Sequence, residues 1–137
     1  MLFRSGDAAV FTFSIHGARN YPFQKVPGSW DEALPDGTGD EAYLARLEGP
    51  LRAVVAFAPD IAFYVSGADP YRGDRLGRLG LTREGLARRD HLVLSRCLQA
   101  RLPVVVTLAG GYAANLAETV EIHCATVRTA ARLFREA

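Results

Sequence analysis

Asp69 is the residue whose setting points most directly to chemistry. It stands between Gly67-Ala68 and Pro70, three residues after the apolar run Ile61 to Ser66. A carboxylate at the end of a buried strand suits a hard-oxygen metal ligand or a general base. The same spacing also suits a turn aspartate that bonds its own backbone. Tyr112 follows Gly110-Gly111, a pair that lets backbone approach a ligand closely. Its hydroxyl could donate to a developing oxyanion, although spacing alone favours an aromatic plug over a sheet edge. His16, His91 and His123 are not at ligand spacing, and no H-E-x-x-H, G-x-S-x-G or P-loop occurs.

These residues need elements to hold them. Ala8 to Ile15 (AAVFTFSI), Ile61 to Ser66 (IAFYVS) and Pro103 to Ala109 (PVVVTLA) read as strands, the second apolar throughout like a strand buried on both faces. Thr38 and Glu41 have capping-box spacing, and Tyr43, Leu44, Leu47, Leu51, Val54 and Val55 then form a helical stripe. Thr82 can cap a second helix running to about Ala100. Asn115 and Glu118 repeat the capping spacing before a last helix to about Phe134. From His16 to Gly37 no period persists, so this stretch reads as a long loop. The order strand, loop, helix, three times over, predicts an α/β fold with a three-layer parallel sheet and helices on both faces. Ligands of such sheets bind beyond the carboxyl ends of the strands. That places Ser14 to Gly17, Gly67 to Tyr71 and Ala109 to Tyr112 on one rim.

The 137 residues suit a single domain, 1–137. The net charge of +1 offers no global attraction for nucleic acid or for a membrane surface. Six acids lie between Asp31 and Glu48, and eight arginines between Arg72 and Arg101; two solvated faces on different helices are expected. Cys97 and Cys124 lie in apolar helical stretches without metal-type spacing, and are expected to pack as small hydrophobes in a reduced, cytoplasmic protein. The amino-terminal residues have no apolar core of signal-peptide type, and no run reaches the ~20 apolar residues that span a bilayer.

Four segments together resemble the histone deacetylase family, including its acetoin-utilisation and polyamine-deacetylase relatives. They are FTFSIHGARNYPF (Phe11 to Phe23), LPDGTGDEAYL (Leu34 to Leu44), PDIAFYVSGADPYRGDRLGRLGLTREGL (Pro59 to Leu86) and VVVTLAGGYAANLAETV (Val104 to Val120). The resemblance covers about Val10 to Phe134 and implies a partial arginase/deacetylase-like fold. It implies that Asp69 ligates a catalytic zinc and that Tyr112 hydrogen-bonds the substrate carbonyl and the tetrahedral oxyanion. Gly110 and Gly111 would form the glycine-rich substrate loop, Tyr21 with Pro22 would line an acyl-lysine tunnel, and Ser14 and Ile15 would lie near a structural monovalent-cation site. Asp74 and Arg75 belong to the same motif without an assigned role. The implied reaction is direct hydrolysis of an acylated lysine or polyamine, with a metal-bound water and a histidine pair.

The family places that histidine pair and two further zinc ligands, in a D-x-H motif, ahead of the strand that opens this chain. One of three ligands remains here. The expectation is therefore a truncated chain, inactive alone, that is completed by its missing N-terminal half or by forming a homo-oligomer. The uncharged first strand, Ala8 to Ile15, is the expected pairing edge of a homodimer. The alternative is a non-catalytic oligomeric α/β binding or scaffold module.

Overall fold

A computed structural model describes residues 7–135. In chain order the elements are β1 (Phe13–Gly17), β2 (Trp30–Leu34), α1 (Asp40–Phe57), β3 (Ala62–Gly67), α2 (Arg83–Gln99), β4 (Val104–Ala109) and α3 (Leu116–Arg135). All strand pairing is parallel. β1 pairs with β2, and β3 with β4, so among the described residues the strands form two parallel ribbons. The α/β class and its parallel strands are as the alternation predicts.

The amino-terminal strand begins later than its composition suggests. The Asp7 carboxylate accepts from the Ala9 amide, and Val10 N–H bonds the Asp7 carbonyl, which closes a turn where a strand was expected. Such local side-chain bonds offer backbone an alternative to a ladder. The supposed edge from Ala8 to Ile15 therefore shortens, and its remnant is paired with β2. That partner, WDEAL, lies inside the stretch expected to be loop. It carries no alternating apolar pattern, and its pairing is seeded from outside the strand. Trp30 N–H reaches the Thr12 carbonyl at 3.0 Å, while Ser29 and Thr12 exchange amide-to-hydroxyl bonds at 2.9 and 3.1 Å.

The helix starts show what a cap can do elsewhere. Thr82 caps α2 as expected, accepting from the Gly85 amide at 2.9 Å. The capping box at Thr38 does not form: Gly39 is the cap residue, and Thr38 Oγ1 donates to the Pro35 carbonyl instead. Asp40, in the first turn of α1, turns outward and accepts from both the amide (2.8 Å) and the hydroxyl (2.6 Å) of Thr82. Two helix starts are thereby tied together. At α3, Asn115 Oδ1 accepts from the Ala117 amide, but Glu118 accepts from the Tyr71 hydroxyl rather than reaching back.

The acidic and basic segments are not separate solvated faces. Arg78 pairs with Asp36 and Arg88 with Glu41, so one segment lies against the other. The core gathers Leu34, Tyr43, Leu47, Leu81, Leu86 and Leu94, with α2 packed between α1 and α3. Tyr64 and Ser66 point inward from β3. Phe63 (67% exposed), Val65 and Val105 form an outward apolar face on the β3–β4 ribbon. Cys97 is buried as expected; Cys124 is exposed, because it lies on the outer side of α3. Among the described residues no helix is long and apolar enough to cross a membrane.

Candidate active site

The rim begins where β3 and β4 end side by side. Gly67 is in register with Ala109, and the pairing runs one step further, Ala68 N–H to the Ala109 carbonyl at 2.9 Å. Asp69 and Tyr112 therefore leave adjacent parallel strands on the same side, as their spacing predicts. A Cβ built on Gly110 would fall 2.7 Å from Asp69 Oδ1, so the glycine loop lies directly against the carboxylate. Gly110 and Gly111 have φ of +64° and +108°, values that L side chains rarely adopt. The chain can turn sharply here and present Tyr112 outward.

Asp69 is half-buried at the rim, with its own backbone amide placed to favour the carboxylate, as in a turn aspartate. Burial raises its pKa above its ordinary value; its own amide opposes this, nearby Asp74 adds to it, and Arg89 opposes it. The Tyr112 ring does not plug the sheet edge. It is 56% exposed, and among the described residues its hydroxyl makes no hydrogen bond.

Behind the rim lies a buried polar cluster that sequence reasoning passed over. Arg89 and Asp90, on α2, are 4% and 1% exposed. Arg89 Nη1 donates to the Gly67 carbonyl at 2.7 Å and Nε to Asp90 Oδ1 at 2.9 Å. Nη2 lies 2.8 Å from that same oxygen, close enough for an ion pair but without a hydrogen bond of its own. Tyr64 donates to Asp90 Oδ1 and Thr126 to Asp90 Oδ2. Consecutive charges in a helical run read as surface. Only the tertiary contact with β3 and α3 shows that these two point inward. His123, on α3 and not at ligand spacing in the sequence, has Nε2 3.2 Å from the Gly110 carbonyl, so it touches the glycine loop.

The remaining candidates lie elsewhere. Ser14 is on β1, its hydroxyl 2.9 Å from His16 Nδ1, and Ile15 packs against the core. Ser14, His16, Tyr21, Pro22 and Lys25 line a cavity of about 550 Å³. The Tyr21 ring is exposed and stacks edge-on to Phe23. Lys25, the only lysine in the chain, donates to the carbonyls of Ala18, Asn20 and Pro22 and so gathers this loop. Burial, followed by Lys25, lowers the His16 pKa, with Asp31 opposing. No hydrogen bond among the described residues joins this cavity to the Asp69–Tyr112 rim. Nor does any group of three His, Cys, Asp or Glu side chains gather to hold a metal.

The model of the histone deacetylase domain family matches residues 2–127. An uncharacterized protein of Picosynechococcus sp. is 43% identical over 129 residues, which are 93% of this chain and 43% of that protein. The acetylpolyamine amidohydrolase of Burkholderia pseudomallei is 31% identical over 116 residues, 75% of this chain and 33% of that enzyme. A crystal structure of acetylpolyamine aminohydrolase from the same organism superposes with a TM-score of 0.68 over 88% of this chain and 36% of that one, at 27% identity. The chain thus spans less than half the length of these relatives.

Proposed function

The chain belongs to the histone deacetylase family, and on that premise we propose that it supplies the Asp69–Tyr112 rim of an amide hydrolase acting on acylated lysine or polyamine substrates. The observation that carries this reading is the placement of Asp69 and Tyr112 at the ends of two hydrogen-bonded parallel strands, with the Gly110–Gly111 turn against the carboxylate. A carboxylate and a phenol on one rim divide the work of an acyl transfer. The Tyr112 hydroxyl, which makes no hydrogen bond among the described residues, can donate to the substrate carbonyl oxygen. That bond strengthens as the oxygen gains charge in the tetrahedral intermediate. Asp69 contributes one anionic oxygen donor.

The zinc that the family implies does not fit the described residues of this chain alone. One carboxylate can neither hold zinc tightly nor select it, and among the described residues no group of three His, Cys, Asp or Glu side chains gathers around Asp69. Among the described residues the imidazole nearest the rim is that of His123, whose Nε2 contacts the Gly110 carbonyl; no hydrogen bond links it to Asp69 or to the Tyr112 hydroxyl. The chain is accordingly proposed to be inactive by itself, with the remaining ligands and the base supplied by further polypeptide. Tyr21 and Pro22 are proposed to line the acyl tunnel and Ser14 and Ile15 to support a cation, in the assembled enzyme. A cytoplasmic location is proposed on the two free cysteines.

The test is an assay of the chain with an acetyl-lysine peptide and an N-acetylated diamine, with and without zinc. No turnover is expected from the chain alone. Turnover is expected once a polypeptide carrying a histidine pair and a D-x-H motif is added, and it should disappear with Asp69→Asn and fall with Tyr112→Phe. Turnover in the complemented sample that is indifferent to both substitutions would remove the rim from the reaction.

A further inference from the structure

We propose that Asp74 and Arg75 are positioning residues for Tyr112, and that the turn they open, residues 74–77, sets the spacing between Tyr112 and Asp69. Tyr112 lies beyond the end of β4, after two glycines in left-handed conformation. Those glycines permit the turn without fixing it, since each has more backbone freedom than any other residue. The backbone of Tyr112 is fixed from another loop. Its N–H donates to Asp74 Oδ2. Its carbonyl accepts from the Arg75 amide at 3.2 Å and from Arg75 Nε at 3.3 Å. Both polar groups of one residue are thus held by two consecutive residues far away in sequence.

The same turn reaches Asp69. Asp74 Oδ1 accepts from the amides of Leu76 (2.8 Å) and Gly77 (2.7 Å), which folds the turn tightly. A Cβ on Gly77 would fall 1.8 Å from the Asp69 carbonyl oxygen, so the turn packs on the Asp69 backbone with no side chain between. Asp74 therefore spans the two site residues, with Tyr112 on one oxygen and the Asp69-packed turn on the other. Its three amide bonds are charge-assisted and leave it poorly suited to be a metal ligand. The functional meaning rests on the role proposed for Tyr112. The mechanical coupling does not, and it is what the test reads.

The experiment uses the full chain, with amide exchange and ¹H–¹⁵N spectra on the wild type, Asp74→Ala and Arg75→Ala, and ¹⁹F spectra with 3-fluorotyrosine at position 112. Asp74→Ala is expected to speed exchange of the Tyr112 amide about tenfold or more, move that amide upfield and shift the ¹⁹F line, with α2 and β3 amides unchanged. Arg75→Ala removes one bond of two to the Tyr112 carbonyl, and should shift the ¹⁹F line without speeding exchange in α2. If Asp74→Ala does not fold, Arg75→Ala decides. Unchanged Tyr112 signals in a folded variant, or equal acceleration of every amide, would overturn the proposal. Failure of the deacylase assay would leave these spectra as expected, so the two ideas fail separately.

Discussion

The guanidinium of Arg89 holds the carbonyl of Gly67 across 2.7 Å, two residues before Asp69, while its other side is neutralised by Asp90. A buried ion pair beneath the sheet is thereby tied to the loop that carries the site carboxylate. Burial alone would work against the Arg89 charge; Tyr64, Asp90 and Tyr43 around it outweigh that and raise its pKa.

Asp90→Ala should destabilise the chain by about 3–5 kcal/mol, because it leaves a buried arginine without its counter-charge. It also leaves the Tyr64 hydroxyl without its acceptor and Thr126 with only the Ile122 carbonyl. Urea denaturation of wild type and variant measures this. A loss below about 1 kcal/mol would mean that water reaches Arg89 and that the cluster is not sealed.

Alkaline pH should loosen the fold through Tyr64 and Tyr43. Burial raises both phenols above their ordinary value; Arg89 opposes it, while Asp90 adds to the rise at Tyr64, and Asp69 and then Asp90 add to it at Tyr43. The folded state therefore favours the neutral phenol. Its contribution is complete below about pH 10, the unfolded value, and is lost as pH rises through the higher folded value. Urea midpoints that fall above pH 10 in the wild type, and fall less in Tyr64→Phe, are expected. A flat profile there would contradict the burial of these rings.

Gly77→Ala should cost about 1–3 kcal/mol, the scale of forced overpacking, since its Cβ would meet the Asp69 carbonyl oxygen at 1.8 Å. Backbone, rather than a flexible side-chain end, must move. Thermal melts read the loss, and an unchanged melting temperature would show that the turn has room to shift.

Much of this was legible in the residues themselves. The apolar runs ending at Ser66 and Ala109 marked β3 and β4 to within a residue or so, and Thr82 marked the start of α2, because strand-length apolar composition and a side-chain cap are local properties; the burial of β3 on both faces that its composition suggests is not found, since Phe63 and Val65 are exposed. The placement of Asp69 and Tyr112 on one rim followed from parallel strands that end in register. Other features needed the third dimension. β2 is polar and acquires its ladder only from β1, and Asp7 diverts the start of β1 into a turn. The capping spacing at Thr38 came to nothing because the Thr38 hydroxyl turned back to the Pro35 carbonyl and Glu41 was drawn to Arg88 on α2. Arg89 and Asp90 look like surface charges until β3 and α3 close over them, and Asp74 shows its bond to Tyr112 only once two loops distant in sequence meet. Periodicity and caps report on neighbours along the chain. Buried charge and backbone clamps depend on partners that only folding brings within hydrogen-bond reach.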